Sequence, residues 1–135
     1  MKLDYILFEK LAEEAAKNPR LRKHLDLRDS EEENGQRMLN VLQPGSIVAA
    51  HRHLDTAEVV VCIHGTAIER YYDENGNETD VFMLKAGGEC PGLLIPAGQY
   101  HSLETNGEMT AIIEAKAGRY DQCCNELLKN SIIRY

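Results

Sequence analysis

Apolar positions recur with a helical period near the start of the chain and with a strand period over most of the rest. From Asp4 to Lys17, Phe8, Leu11, Ala12 and Ala15 fall at i, i+3, i+4 and i+7, one stripe of an amphipathic helix. Glu13 and Lys17 make an i, i+4 pair on its outer side. Asn18-Pro19 ends it, because the residue before a proline is pushed out of the α region. A lone helix of this length is marginal in water, so the stripe needs a surface to pack on, such as the outer face of a sheet. Residues 19–36 are highly charged and without sustained period; they read as a connection with one short strand around Leu25–Leu27, and Glu31–Glu33 as a solvated turn.

From Arg37 the signal changes to strands. They are expected over Arg37–Leu42, Ile47–Ala50, Ala57–Ile63, Thr66–Tyr72, Glu78–Leu84, Gly92–Ile95, Tyr100–Glu104 and Met109–Ala115. Pro44-Gly45, Asn75-Gly76, Gly87-Gly88, Pro96-Ala-Gly98 and Asn106-Gly107 punctuate them as turns. Short strands at near-regular spacing predict a sandwich, jelly roll or barrel, in which closure protects the sheet edges. Tyr120–Asn130 reads as a short C-terminal helix with Cys124, Leu127 and Leu128 on one side. The expected organisation is one mainly β domain: a helix and connector over 1–36, a barrel over 37–118, and a terminal helix or tail over 119–135.

Alternation fixes which side chains face inward. If Glu58 points into the barrel, Val60, Cys62 and His64 follow it, and Val59, Val61 and Ile63 point out. Three outward aliphatics need a cover, either the helical stripe or a second subunit, so a homodimer is expected.

Composition narrows the partners. The chain has 135 residues with 15 basic and 22 acidic side chains, a formal charge of −7. That balance speaks against nucleic acid or an anionic membrane as partner. No apolar run approaches bilayer-spanning length. The N-terminus is interrupted by Asp4, Glu9 and Lys10 and does not read as a secretory signal. Cys62, Cys90, Cys123 and Cys124 show no metal-knuckle spacing, and reduced thiols in the cytoplasm are the expectation.

The candidate chemistry lies in two segments. His51 and His53 are two apart, so they share a face of an extended strand, and Glu58 follows after a gap long enough for a turn. Far downstream, Pro96-x-Gly98-x-x-His101 places a third imidazole just after a tight turn. His51, His53, Glu58 and His101 aimed at one point would hold a divalent transition metal, with Fe, Mn, Ni and Zn all compatible. The plain alternative is histidines packed in a core. Glu114, Tyr100 and His64 are candidate bases, although His64 stands at a strand end and reads first as a turn residue. Arg20, Arg22 and Arg28 read as surface residues that become ligand contacts if their segment crosses the barrel mouth.

The first segment matches the first cupin motif, G(X)5HXH(X)4E(X)6G, at Gly45, His51, His53, Glu58 and Gly65. The second matches the core of the second motif, PXG(X)2H, at Pro96, Gly98 and His101, and departs from it at Cys90 and Thr105. The chain also resembles the WbuC family of cupin-fold metalloproteins. The matching stretches are Asn18-Pro-Arg-Leu-Arg22, Gln36-Arg-Met38, Pro44-Gly45, His51-Arg-His53, Ile95-Pro-Ala-Gly98 and Glu114-Ala-Lys-Ala-Gly-Arg-Tyr120. Arg119 stands where that family more often has proline. The resemblance implies a single-domain cupin, a double-stranded β-helix or jelly-roll barrel, holding one metal. Members of that family occur among surface-polysaccharide genes. The expectation is therefore an isomerase-, epimerase- or oxygenase-like enzyme acting on a small oxygenated molecule such as a sugar or nucleotide-sugar. A non-catalytic carbohydrate- or small-acid-binding module is the alternative.

Overall fold

The computed structural model describes residues 1–118 and 125–128. A single helix, α1 (Tyr5–Ala16), precedes the strands β1 (Arg22–Asp26), β2 (Gln36–Leu42), β3 (Ile47–His53), β4 (Glu58–His64) and β5 (Thr66–Tyr72). They continue as β6 (Glu78–Lys85), β7 (Gly92–Ile95), β8 (Tyr100–Thr105), β9 (Thr110–Lys116) and β10 (Asn125–Leu127). Asp4 caps α1, its carboxylate accepting from Leu7 N–H at 3.0 Å. The stripe of Phe8, Leu11, Ala12 and Ala15 is buried as expected. The first three of these pack with Leu39 and Val41 of β2 and Ala111 of β9. Burying Phe8 and Leu11 there is worth about 1.5–3 kcal/mol each.

The strands form two antiparallel five-stranded sheets, ordered β1-β2-β9-β4-β7 and β10-β3-β8-β5-β6. This is a jelly-roll cupin architecture, with α1 on the outer face of the first sheet. The connector contributes β1, which begins earlier than the expected Leu25–Leu27 segment and pairs along β2 from Arg22↔Leu42 to Asp26↔Met38. Asn125–Leu127 is a strand, not part of a helix, and its edge is satisfied by pairing with His51–His53 of β3. The remainder of the expected terminal helix, with Cys123 and Cys124, lies outside the described residues.

Between the sheets the inward-facing rows are apolar at one end and polar at the other. Leu42, Val60, Cys62, Ala67, Leu84, Ile95, Leu103 and Ile112 form the apolar end. Continuing along the same strands and faces come Asn40, Glu58, Glu69, His101 and Glu114, all lining one cavity. The apolar plug holds the sheets together and leaves the other end free for chemistry.

Parity from Glu58 holds through Cys62, and a register shift between Cys62 and His64 then breaks it. The shift turns His64 outward, where its ring lies 5.1 Å from Tyr5 and 6.0 Å from Phe8 of α1. His64 is thus a packing residue under the helix. The helix cluster also takes in Ile63. Val59 stays 43% exposed opposite Leu94, which is 67% exposed.

Gly65 follows this bulge at φ +73°, and a Cβ there would stand 2.5 Å from the Met109 carbonyl oxygen. Both the left-handed backbone and the close approach require glycine. We expect Gly65→Ala to lower stability by about 2–4 kcal/mol, read as a lower urea midpoint at unchanged slope. An unchanged midpoint would refute this.

Candidate metal centre

β3 carries His51 and His53, and β8 carries His101 directly opposite His51. A register shift between Val48 and His51 lets Val48 and His51, three residues apart, both line the cavity. The bulge thus re-aims the histidine pair while β3 stays paired with β8. The ligand nitrogens of His51, His53 and His101 lie within 4.8 Å of one another. Glu58, at the start of β4, brings Oε2 to 2.7 Å from His53 Nε2 and 4.0 Å from His101 Nε2.

Backbone carbonyls set two of the three rings. His51 Nδ1 lies 2.8 Å from Ala49 O, and His101 Nδ1 lies 2.8 Å from Gln99 O. A carbonyl only accepts, so each Nδ1 carries the proton and each Nε2 presents a lone pair. His101 Nε2 is buried with no hydrogen-bond partner, a costly state that a metal ion would relieve. Burial, reinforced by His101, pushes the His51 imidazole down to about 3, and burial lowers that of His101 as well. Both rings are therefore neutral at physiological pH, as ligation requires. Burial works to raise the Glu58 carboxyl, but the His53 hydrogen bond and the surrounding imidazoles outweigh it and hold it below its ordinary value. The third ring is held differently. Lys116 Nζ lies 3.2 Å from His53 Nδ1, and an ammonium only donates. The proton of a neutral His53 then sits on Nε2 facing Glu58, and ligation at that nitrogen displaces it. Three imidazoles and a carboxylate at the floor of a cavity fit a divalent first-row ion.

The cavity has a volume of about 340 Å³. Glu114 enters it from β9, as its selection as a candidate base requires. Burial, with the charge of Glu58, pushes its carboxyl up to about 8, against the lowering effect of Asn40, Lys116 and Arg22. Glu69, on β5, was not legible as a site residue. It is 1% exposed, and burial together with Glu58 and Glu114 raises its carboxyl well above the ordinary range. The only signal for it was that it shares a strand face with Ala67; a lone glutamate between Ile68 and Arg70 otherwise reads as solvent-facing. Arg20 and Arg22 reach the cavity mouth, whereas Arg28 pairs with Asp26 at 2.7 Å.

Tyr100 precedes His101 on β8 and so faces the opposite side of the sheet. It packs with Ala50, Tyr72 and Leu128, and the Arg52 guanidinium lies 4.6 Å from its ring centroid. Tyr100→Phe should therefore leave metal content unchanged and turnover within about threefold. A loss of about a hundredfold would restore Tyr100 as a catalytic candidate.

Known structures share this fold at low identity. CapF with the inhibitor 3-isopropenyl-tropolone matches at a TM-score of 0.66 and 18% identity, over 78% of this chain and 31% of its own. CapF is described as a capsular polysaccharide assembling protein from Staphylococcus aureus. Oxalate decarboxylase from Bacillus subtilis matches at 0.60 and 22%, over 79% of this chain and 27% of its own. This chain thus spans less than a third of either. The protein TT1209 from Thermus thermophilus matches at 0.61 and 20%, over 88% of this chain and 99% of its own. No curated protein sequence matches the chain. No described helix is long and apolar enough to cross a membrane. One family profile, described as a domain of unknown function (DUF6016), matches residues 3–84, a span that runs from α1 through His51, His53 and Glu58 into β6, and the chain belongs to that family.

Proposed function

We propose that this protein is a WbuC-like, metal-dependent enzyme acting by proton transfer, in the manner of an isomerase or epimerase, on a small oxygenated substrate such as a sugar or nucleotide-sugar. Its proposed setting is surface-polysaccharide assembly in the cytoplasm. The observation that carries this reading is a carboxyl with a pKa of about 8, Glu114, facing the same cavity as the four candidate ligands. A divalent ion held by His51, His53, Glu58 and His101 would supply Lewis acidity to a substrate oxygen. Glu114 titrates close to neutrality, where a carboxyl can both give and take a proton. Glu69 lies behind it as a second neutral acid, and the barrel walls exclude bulk water. The shared fold with CapF supports the polysaccharide setting.

The test is elemental analysis of protein purified without added metal, followed by a sugar and nucleotide-sugar panel in deuterated water, with and without oxygen. About one metal equivalent and deuterium at a carbon next to a carbonyl are expected. Full turnover by chelator-stripped protein would overturn the reading. Tight binding without product or exchange across the panel would favour a non-catalytic binding module. We extend the proposal to a homodimer in which a second copy covers Val59 and Leu94. Sedimentation velocity should show a dimer at micromolar concentration, and a monomer there would refute it.

A further inference from the structure

The cavity wall carries polar atoms that its own fold does not satisfy. Gln36 Oε1, Asn40 Oδ1 and Glu69 Oε2 are buried and without a hydrogen-bond partner, and all three residues line the cavity. Gln36 and Asn40 lie on one face of β2, separated by Met38, and Glu69 projects from β5 in the other sheet. Each unsatisfied buried acceptor costs about 1–3 kcal/mol, so such a set marks a place for a ligand. Carbonyl oxygens only accept, so the ligand must offer donors, and hydroxyl groups do so.

The mouth has the opposite character. Arg20, Arg22 and Lys23 line it, although the chain as a whole has a charge of −7. Arg22 lies on the inner face of β1, paired with Leu42, and its Nη1 donates to Ile47 O at 3.3 Å, which fixes the side chain across the gap between the sheets. Leu21, between the two arginines, has φ 56°, a left-handed conformation that a branched apolar residue rarely adopts. Backbone strain of this kind is tolerated where position matters. Guanidinium groups select phosphate and carboxylate through paired N–H donors. The volume of about 340 Å³ is near the lower end of the range for small-molecule sites, roughly 300–1,000 Å³.

We infer that the ligand of this cavity is a monosaccharide-sized polyol bearing a phosphate or carboxylate. Its anionic end lies on Arg20, Arg22 and Lys23, and its hydroxyls meet Gln36, Asn40 and Glu69. Calling that ligand the substrate rests on the enzymatic reading above; its chemical class does not.

Isothermal titration of the full-length, metal-replete protein at low ionic strength tests the class with four probes: glucose, glucose 6-phosphate, gluconate and UDP-glucose. Glucose 6-phosphate or gluconate should bind at least about tenfold more tightly than glucose, and the stronger of the two identifies the anion as phosphate or carboxylate. UDP-glucose should bind more weakly than that probe. Arg20→Gln and Arg22→Gln should each remove most of the charged probe's advantage while leaving glucose within about threefold. Arg20 is exposed, so its variant keeps the fold even if the loss of the Ile47 contact weakens the other. The inference is overturned if neither charged probe exceeds glucose, if UDP-glucose binds tightest, if no probe binds, or if both variants weaken every probe equally. Turnover is not read in this experiment. A protein that makes no product yet prefers the small anion would overturn the enzymatic reading and leave the ligand class standing.

Discussion

His101→Ala should reduce bound metal from about one equivalent to below about a tenth and lower turnover by at least about a thousandfold, with the barrel still folded. The side chain stands opposite His51 across the β3–β8 ladder, and its Nε2 has no protein partner. Truncation therefore removes one of four donors without stranding another group. Even the loss of an outer partner of a ligating histidine typically costs about 10–100-fold in affinity, so loss of the ligand itself should cost more. The fold should survive because the sheets are joined by the apolar cluster around Leu42, Val60 and Ile112, none of which contributes to the ligand set. A thermal midpoint near that of stripped wild-type protein, with no rise on adding metal, is the companion measurement; metal at about a hundred times its Kd should stabilise the wild type by about 2.7 kcal/mol. Full metal content in His101→Ala would show that the ion is held elsewhere.

The parts of this arrangement written in local sequence were the readable ones. The α1 stripe, the turns at Asn75-Gly76 and Pro96-Ala-Gly98, and the His51/His53/Glu58/His101 set all announce themselves within a few residues or by motif. Long-range pairing was the obstacle elsewhere. The bulges between Val48 and His51 and between Cys62 and His64 shift alternation by one place, and only the partner strands β8 and β9 reveal where. Counting from Glu58 consequently sent His64 into the barrel when it belongs under α1. Tyr100 illustrates a different failure, since its neighbour His101 already excluded it from the inner face by alternation alone. Glu69 depended on the register of β5 against β8, where it pairs with Leu103. Nothing near Glu69 in the chain distinguishes it from a solvent-facing glutamate. At the C-terminus the apolar spacing of Cys124, Leu127 and Leu128 suited a helix, but the open edge of β3 takes Asn125–Leu127 as a strand.

Glu114→Gln should separate the chemistry of the cavity from its stability. With metal bound, the variant should keep its ion, because residue 114 is not among the four ligands, and lose about 10²–10⁴-fold in kcat. A merely structural residue would leave kcat unchanged. In chelator-stripped protein the same substitution should alter the dependence of stability on pH. The folded carboxyl of Glu114 sits at about 8, above its ordinary 4.5, so the native state holds a proton that the unfolded chain releases. Native protein then binds more protons than unfolded protein between these values, and stability falls as pH rises through the window. Depressed His51 and His101 act in the opposite direction, but only below the ordinary imidazole value of 6.5. From pH 6.5 to 8 the wild type should accordingly lose about 1–2 kcal/mol through Glu114, with Glu69 adding in the same direction. Glu114→Gln should be flatter over that interval and gain on the wild type as pH rises, by urea denaturation at each pH. Parallel curves for the two proteins would mean that Glu114 is already ionised in the folded state, which would remove the proton on which the proposed chemistry depends.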